Sequence, residues 1–242
     1  MPLNGSVLKY LALLASTFAI YLSGEERDLA ALIAAAESRR DANVREVRSI
    51  REYVVRNARW QSDAIMYATM ITSAGGSKRY EIIRTNADGM RRNILVRILE
   101  GEVEAAAKQD RDGNVNETNY ELRPQSANAQ GKQPCRTVTL VPRIRTRFTL
   151  DGHGCVDMSD FAMVRMEGRT AKRISFLVGR ADVVQEFRKI GEFWYSSTSR
   201  STAEVRFLGR TELIIKYLNY SITSKTGAVV TANLGPERSS AP

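Results

Sequence analysis

Cys155-Val-Asp-Met-Ser-Asp-Phe-Ala-Met-Val-Arg-Met-Glu-Gly168 is the stretch on which the fold turns. Cys155–Asp157 ends one strand, Met158-Ser-Asp160 turns the chain, and Ala162–Glu167 runs back. Asp157 and Asp160 flank that turn, where a carboxylate accepts hydrogen bonds from backbone amides. A hydrolase could use such a pair only with one pKa raised by burial. The turn role is the stronger reading.

Outward from this hairpin the chain keeps the same rhythm. Strands are expected at Cys135–Pro142, Arg147–Asp151, Ile174–Val178, Asp182–Ile190, Phe193–Thr198, Ser201–Leu208 and Thr211–Ile222. Turns are expected at Asp151-Gly-His-Gly154, Glu167-Gly168, Lys189-Ile-Gly191 and Leu208-Gly-Arg210. Many strands at short spacing mean a meander, sandwich or barrel. Upstream, Arg51–Asn57 and Ala64–Thr72 read as strands, and Gly75-Gly76 suits a hairpin turn into Arg79–Arg84. A short strand is expected at Asn119–Arg123 inside the polar stretch 110–133.

Two segments carry the helical period instead. Over 26–51, Leu29, Ile33, Ala36, Val44, Val47 and Ile50 recur at three- and four-residue steps. Over 88–109, Asp88 can cap a helix whose stripe includes Met90, Ile94, Leu95, Ile98 and Leu99. The fold class is therefore α+β and mainly antiparallel β, a curved sheet with helices packed against it.

At the N-terminus, Tyr10–Leu22 is an apolar run too short to span a bilayer comfortably but right for the core of a signal peptide. Residues 1–24 are expected to be an export signal, 25–223 one β domain, and 224–242 a flexible tail. An uncleaved N-terminal anchor or a buried helix is the competing reading of that run.

The 242 residues carry a formal net charge of +9, and 43% are hydrophobic, enough for a full core. The positive charges are interleaved with Asp and Glu, which points first to a solvated basic surface and second to an anionic lipid partner. Nucleic-acid binding would want aromatics among the cations, and the basic Arg143-Ile-Arg-Thr-Arg147 run has none. Two cysteines and one histidine cannot make a conventional Cys/His zinc site. No Gly-x-Ser-x-Gly element, phosphate loop or nucleophile–base set stands out, so no enzyme and no cofactor are expected.

The order of motifs resembles a known family. Cys155–Gly168 is similar to the Trp-Val-Asp-x-x-Asp-Phe-x-Val-x-Arg-x-Glu-Gly hairpin of outer-membrane lipoprotein-sorting-like proteins, the LolA/LolB-like half-barrel superfamily. Arg188–Tyr195, Val205–Gly209 and Leu213–Tyr220 resemble its following strands. The resemblance covers roughly 30–222 and is tight over 135–222. Cys155 and Tyr195-Ser196 depart from it, standing where the family carries an aromatic or aliphatic residue and Leu-Pro.

That likeness implies a half-open sheet, an incomplete β-barrel, with helices on its concave face. It implies a periplasmic, monomeric, lipid- or lipoprotein-binding protein with envelope-membrane partners, or else an envelope sensor or interaction domain that uses the fold without transport. An apolar groove would then be lined by Ile65, Met66, Tyr67 and Met70 of a strand apolar on both faces, and by Ile94 and Ile98 of the helix. Burial of that strand by helix and sheet explains the same pattern.

Cys135 and Cys155 flank Arg136–Gly154, and pairing about Arg145 would make them near neighbours across two strands. They are either a disulfide, which an exported protein would form, or two buried thiols separated by a bulge. Arg143, Arg145 and Arg147, at alternate positions, would share one face of a strand or hairpin. That face is either an anionic contact or a solvated edge that resists aggregation.

Overall fold

The computed structural model describes residues 29–108, 113–125 and 135–235. The expected export signal lies outside them. Among the described residues the chain is one open antiparallel sheet with two helices. Helix α1 covers 29–43. It is followed by β1 (Val44–Asn57), β2 (Ala64–Ser73), β3 (Lys78–Thr85) and helix α2 (Gly89–Ala107). Then come β4 (Tyr120–Pro124), β5 (Arg136–Pro142), β6 (Leu150–Asp157), β7 (Ala162–Thr170) and β8 (Val178–Ile190). The chain continues through β9 (Phe193–Val205), β10 (Gly209–Ser224) and β11 (Val229–Asn233).

The strand order is β3-β2-β1-β10-β9-β8-β7-β6-β5-β4, with β11 added beside β10. β3 and β4 stand at opposite ends and do not pair, so the sheet is not closed into a barrel. Two meanders are thus joined by one long ladder. β1 runs antiparallel to β10 from Val44↔Ser224 to Asn57↔Thr211.

Both helices cover the same face of the sheet. In β2 that face carries Ala64, Met66, Ala68 and Met70, all fully buried. The small–large alternation leaves slots into which Leu95 and Leu99 of α2 descend, in a core shared with Tyr53 and Val55. At the other end, Leu29, Ala30 and Ile33 of α1 join a core with Tyr120, Leu122, Val138, Leu140 and Val156 from β4–β6. Tyr120 sits in that core with its hydroxyl oxygen accepting from the Leu150 amide at 2.9 Å. Its polar tip is therefore satisfied.

Several expectations change. The first helix ends at Asn43 rather than near 51, because Val44–Asn57 is strand β1. A bulge between Val44 and Glu46 brings Val44 and Val47 to one face. On a strand that three-residue step mimics a helical stripe. Asp151-Gly-His-Gly154 is not a turn but lies inside β6, and Glu167-Gly168 lies inside β7. Gly152 pairs with Gly168, and a Cβ on either would collide with the other strand's backbone. These glycines permit a close approach and do not break the strand. Ile174–Leu177 is a loop rather than a strand and Val178 opens β8, the loop being closed by the Ile174 amide donating to the Gly179 carbonyl at 3.1 Å. Phe193–Val205 is one strand rather than two.

The expected flexible tail contains a strand. β9 pairs with β10 as far as Lys216, and Val229–Asn233 takes over along Asn219–Thr223. Gly227, at φ +89°, makes the intervening turn.

Cys135 and Cys155 are joined by a disulfide with Cα atoms 5.5 Å apart. The ladder sets Cys155 opposite Thr137, so the bridge runs diagonally between β5 and the β6 strand beside it. Replacing both cysteines with serine should lower unfolding stability by about 3 kcal/mol, the chain-entropy value for a loop of this size. Urea unfolding of oxidised, reduced and doubly substituted protein measures it, and equal midpoints would contradict it.

Candidate functional site

A cleft of about 1520 Å³ opens on the helix-covered face. One wall is α2, through Met90, Ile94, Ile98 and Ala105. The other includes Arg40 and Asp41 from the end of α1, and Tyr195 and Val205 of β9. Val44 and Val47 of β1 lie in its floor, both turned inward by the bulge. Phe148, Leu177, Phe207 and Leu208 lie toward its far end. Tyr195 and Val205 stand near opposite ends of β9, roughly 33 Å apart along the strand at ~3.3 Å per residue.

A buried polar network fixes α2 beside this cleft. Arg51, 7% exposed, donates from Nη1 to Oε2 of Glu102 at 2.8 Å and from Nε to the Ser49 hydroxyl at 2.9 Å. The Tyr53 hydroxyl donates to Oε1 of Glu102 at 3.0 Å. Lys78 lies 3.8 Å from Glu102. The Arg51 guanidinium also stands 4.6 Å from the centre of the Tyr217 ring. Burial opposes the Arg51 charge, but the surrounding tyrosines and Glu102 offset it and its pKa moves up. Burial pulls the Lys78 pKa down, against the opposing pull of Glu102. The carboxylate thus binds three groups from β1 and β3, and it belongs to α2.

Tyr195 adds a second feature. It is 8% exposed, stacks obliquely on Tyr220 at 5.3 Å between centroids, and its buried hydroxyl has no hydrogen-bond partner among the described residues. Burial raises its pKa to about 12. A neutral hydroxyl at the cleft wall can donate to a carbonyl or phosphate oxygen brought in by a ligand.

The expected groove residues divide. Ile94 and Ile98 line the cleft. Met66 and Met70 do not; they are fully buried beneath α2. Ile65 and Tyr67 face the opposite side of the sheet, where the Tyr67 hydroxyl donates to Glu52 at 2.6 Å and Arg84 covers its ring. Arg143, Arg145 and Arg147 lie in the loop between β5 and β6 and share no strand face. Arg143 donates to the Tyr120 carbonyl at 3.3 Å, Arg145 to the Ala171 carbonyl at 3.4 Å, and Arg147 stacks on Phe148. Arg147 nevertheless lines the cleft.

Asp157 and Asp160 serve the hairpin. Asp157 accepts from the Ser159 and Asp160 amides at 2.8 and 3.0 Å. Asp160 accepts from the Trp194 indole at 2.8 Å and pairs with Lys189 at 2.6 Å. His153 meets Gln125 at 3.1 Å. Among the described residues no cluster of three metal-ligating side chains forms. Tyr195, Arg40 and the loop 174–177 carry no sequence expectation as site residues. Their sequence signal was weak, a lone tyrosine after a tryptophan and an apolar pair behind Lys172-Arg173.

No protein-family model matches the chain. No curated protein matches it either. Three solved structures are similar to the chain at low identity. A Vibrio parahaemolyticus domain, provisionally described as an outer membrane lipoprotein-sorting protein, is 11% identical with a TM-score of 0.43, over 81% of this chain and 92% of that one. A DUF1329 family protein from Desulfovibrio piger is 12% identical with a TM-score of 0.43, over 82% and 92%. A LolA superfamily protein from Nitrosomonas europaea is 9% identical with a TM-score of 0.39, over 78% and 92%. What the cleft does must be argued from this chain's own residues.

Glu102→Ala should cost about 2–3 kcal/mol, since it leaves Arg51 buried without its carboxylate. Glu102→Gln should cost less, because an amide oxygen can still accept from Tyr53 or Arg51. Denaturation midpoints of the two variants test this order, and an equal cost would show that the carboxylate charge is not what matters.

Proposed function

We propose that the chain is a binding protein that shelters an acyl chain, of a lipid or a lipidated protein, in the cleft between α2 and β9. The observation that carries this reading is the size and lining of that cleft. It exceeds the ~300–1,000 Å³ of drug-sized pockets. Ile94, Ile98, Val44, Val47 and Met90 give it a long apolar wall, and methionine adapts to varied hydrocarbon. A large cleft with an apolar wall on one side and polar and charged residues around it fits an amphipathic molecule with a hydrocarbon tail better than a compact polar substrate.

The Tyr195 hydroxyl supplies the polar end. Left alone it is a buried group without a partner, a costly arrangement that a ligand carbonyl or phosphate oxygen would relieve. The role is binding rather than catalysis, since the carboxylates near the cleft are engaged. Asp41 pairs with Arg40 at 3.0 Å, Glu102 holds Arg51, and Glu104 pairs with Lys108.

The disulfide supports an oxidising location such as the periplasm, because such bonds persist where thiols are not kept reduced. The apolar run Tyr10–Leu22 supports the same placement as the core of an export signal.

Uptake of a fluorescent fatty-acyl probe, with native mass spectrometry of co-purified lipid, tests the reading. Ile98→Glu should lower probe affinity about ten-fold or more, because a charge must be buried against hydrocarbon. Its fold should survive, since Leu95 and Leu99 carry the packing of α2. Tyr195→Phe should weaken the grip on an ester-bearing lipid yet leave the empty protein as stable or about 1 kcal/mol more stable. A native protein that takes up no acyl probe and carries no lipid would overturn the proposal.

A further inference from the structure

One end of the molecule carries large apolar side chains that the fold leaves in water. Phe207 is 77% exposed, Phe176 74% and Leu177 46%. They sit on two neighbouring loops, 174–177 and the turn between β9 and β10, which are tied together by the Arg206 amide donating to the Leu177 carbonyl at 2.8 Å. Exposed single apolar residues are ordinary, but two phenylalanines and a leucine converging on one rim are not.

The loops are built rather than frayed. The Ser175 hydroxyl oxygen accepts from the Leu177 and Val178 amides at 3.2 and 3.1 Å. Phe207 adopts φ +69°, a left-handed conformation disfavoured for a residue with a large side chain. Its carbonyl accepts from Arg59 at 2.6 Å, which holds the turn in place. Strain that presents an aromatic ring to water, and that the surroundings maintain, points to use of that ring.

Charge says what meets it. Arg59, Lys172, Arg173, Arg206 and Arg210 surround the three apolar side chains or flank their loops, and all five are exposed. None pairs with a carboxylate among the described residues, whereas the nearby Arg56 and Arg200 are held by Asp63 and Glu212. Arg206 stands over both rings, 5.2 Å from Phe176 and 5.1 Å from Phe207. Glu204 is the carboxylate lining the shallow hollow of about 420 Å³ between these loops. Aromatic rings flanked by free arginines suit the boundary between anionic headgroups and acyl chains.

We propose that this rim docks the protein on an anionic phospholipid bilayer, with Phe176, Leu177 and Phe207 at the level of the upper acyl chains and the cations among the phosphates. Leu177, Arg206 and Phe207 also line the cleft, so docking would set the cleft's end against the membrane. The proposal stands by itself, whether or not the cleft holds an acyl chain.

The full chain is tested on vesicles of phosphatidylethanolamine and phosphatidylglycerol, and on phosphatidylcholine alone. In Phe176→Trp, the tryptophan emission above that of the native protein should shift to the blue on the anionic vesicles. Lipids brominated in the upper acyl chain should quench it, and high salt should weaken both effects. Phe176→Ser/Phe207→Ser should bind the anionic vesicles about ten-fold more weakly while its circular dichroism stays native. Emission that does not move on the anionic vesicles would overturn the proposal, even if the chain sediments with them through another segment. Equal response to phosphatidylcholine would overturn it too. So would self-association in the ultracentrifuge that the double serine variant abolishes, since the occupant would then be a second copy of the chain. A native protein that shows the emission shift but no acyl-probe uptake would keep the docking surface and remove the cleft's proposed cargo.

Discussion

The ladder between β1 and β10 is the constraint on which the rest depends. Its strands lie at positions 44–57 and 211–224, so forming it closes a loop of most of the chain. The entropy of that closure grows only slowly with length, but it must be met before the pairing contributes anything. Once made, it sets the first meander with α2 beside the last strand of the second meander with α1. The two helices pack in separate core clusters, Leu95 and Leu99 in one and Leu29 and Ile33 in the other. The space between the helices is therefore a product of the ladder.

What keeps that space from collapsing is where the polar groups lie. An apolar helix on an apolar floor would slide until the void was filled. α2 does not have that freedom, because Glu102 must stay within reach of Arg51, Tyr53 and Lys78. Moving it by even one turn would strand a guanidinium that is 7% exposed. The ion pair adds little net stability against a hydrophobic alternative, but it specifies one position for the helix. That position turns Leu95 and Leu99 into the core and leaves Ile94 and Ile98 to the cleft.

Much of the fold could be read in the sequence because strands alternate and turns have their own chemistry. β2, the β2–β3 hairpin, α2 and the turn between β6 and β7 lie within a residue or two of where periodicity puts them. The failures have specific causes. Val44 and Val47 imitated a helical step because a bulge adds a residue to β1. Gly152 and Gly168 imitated turns because their effect, a close approach of two backbones, depends on the partner strand and leaves no local mark. The candidate site was half legible. Ile94 and Ile98 followed from the helix stripe, whereas the inward face of β2 could not be told from a ligand wall without knowing that α2 sits on it. Tyr195 was invisible as a site residue, since only the tertiary structure shows its hydroxyl to be buried and alone.

The two ends of the cleft differ in a way that bears on direction. Near Tyr195 the surroundings are tight: Tyr220 stacks beside it, and Val44, Ile190 and Ile222 close a separate core around the pair. Near Val205 the chain opens into two loops whose apolar residues are exposed. A flexible hydrocarbon gains from burial at every carbon, but a polar head gains only where a partner is waiting. The buried cleft-wall hydroxyl that lacks a partner among the described residues, that of Tyr195, is at the closed end, and the apolar surface facing water is at the open end. On the proposed reading, such an asymmetric cleft would orient an amphipathic ligand, with its oxygen-bearing group held deepest and its hydrocarbon toward the exposed phenylalanines.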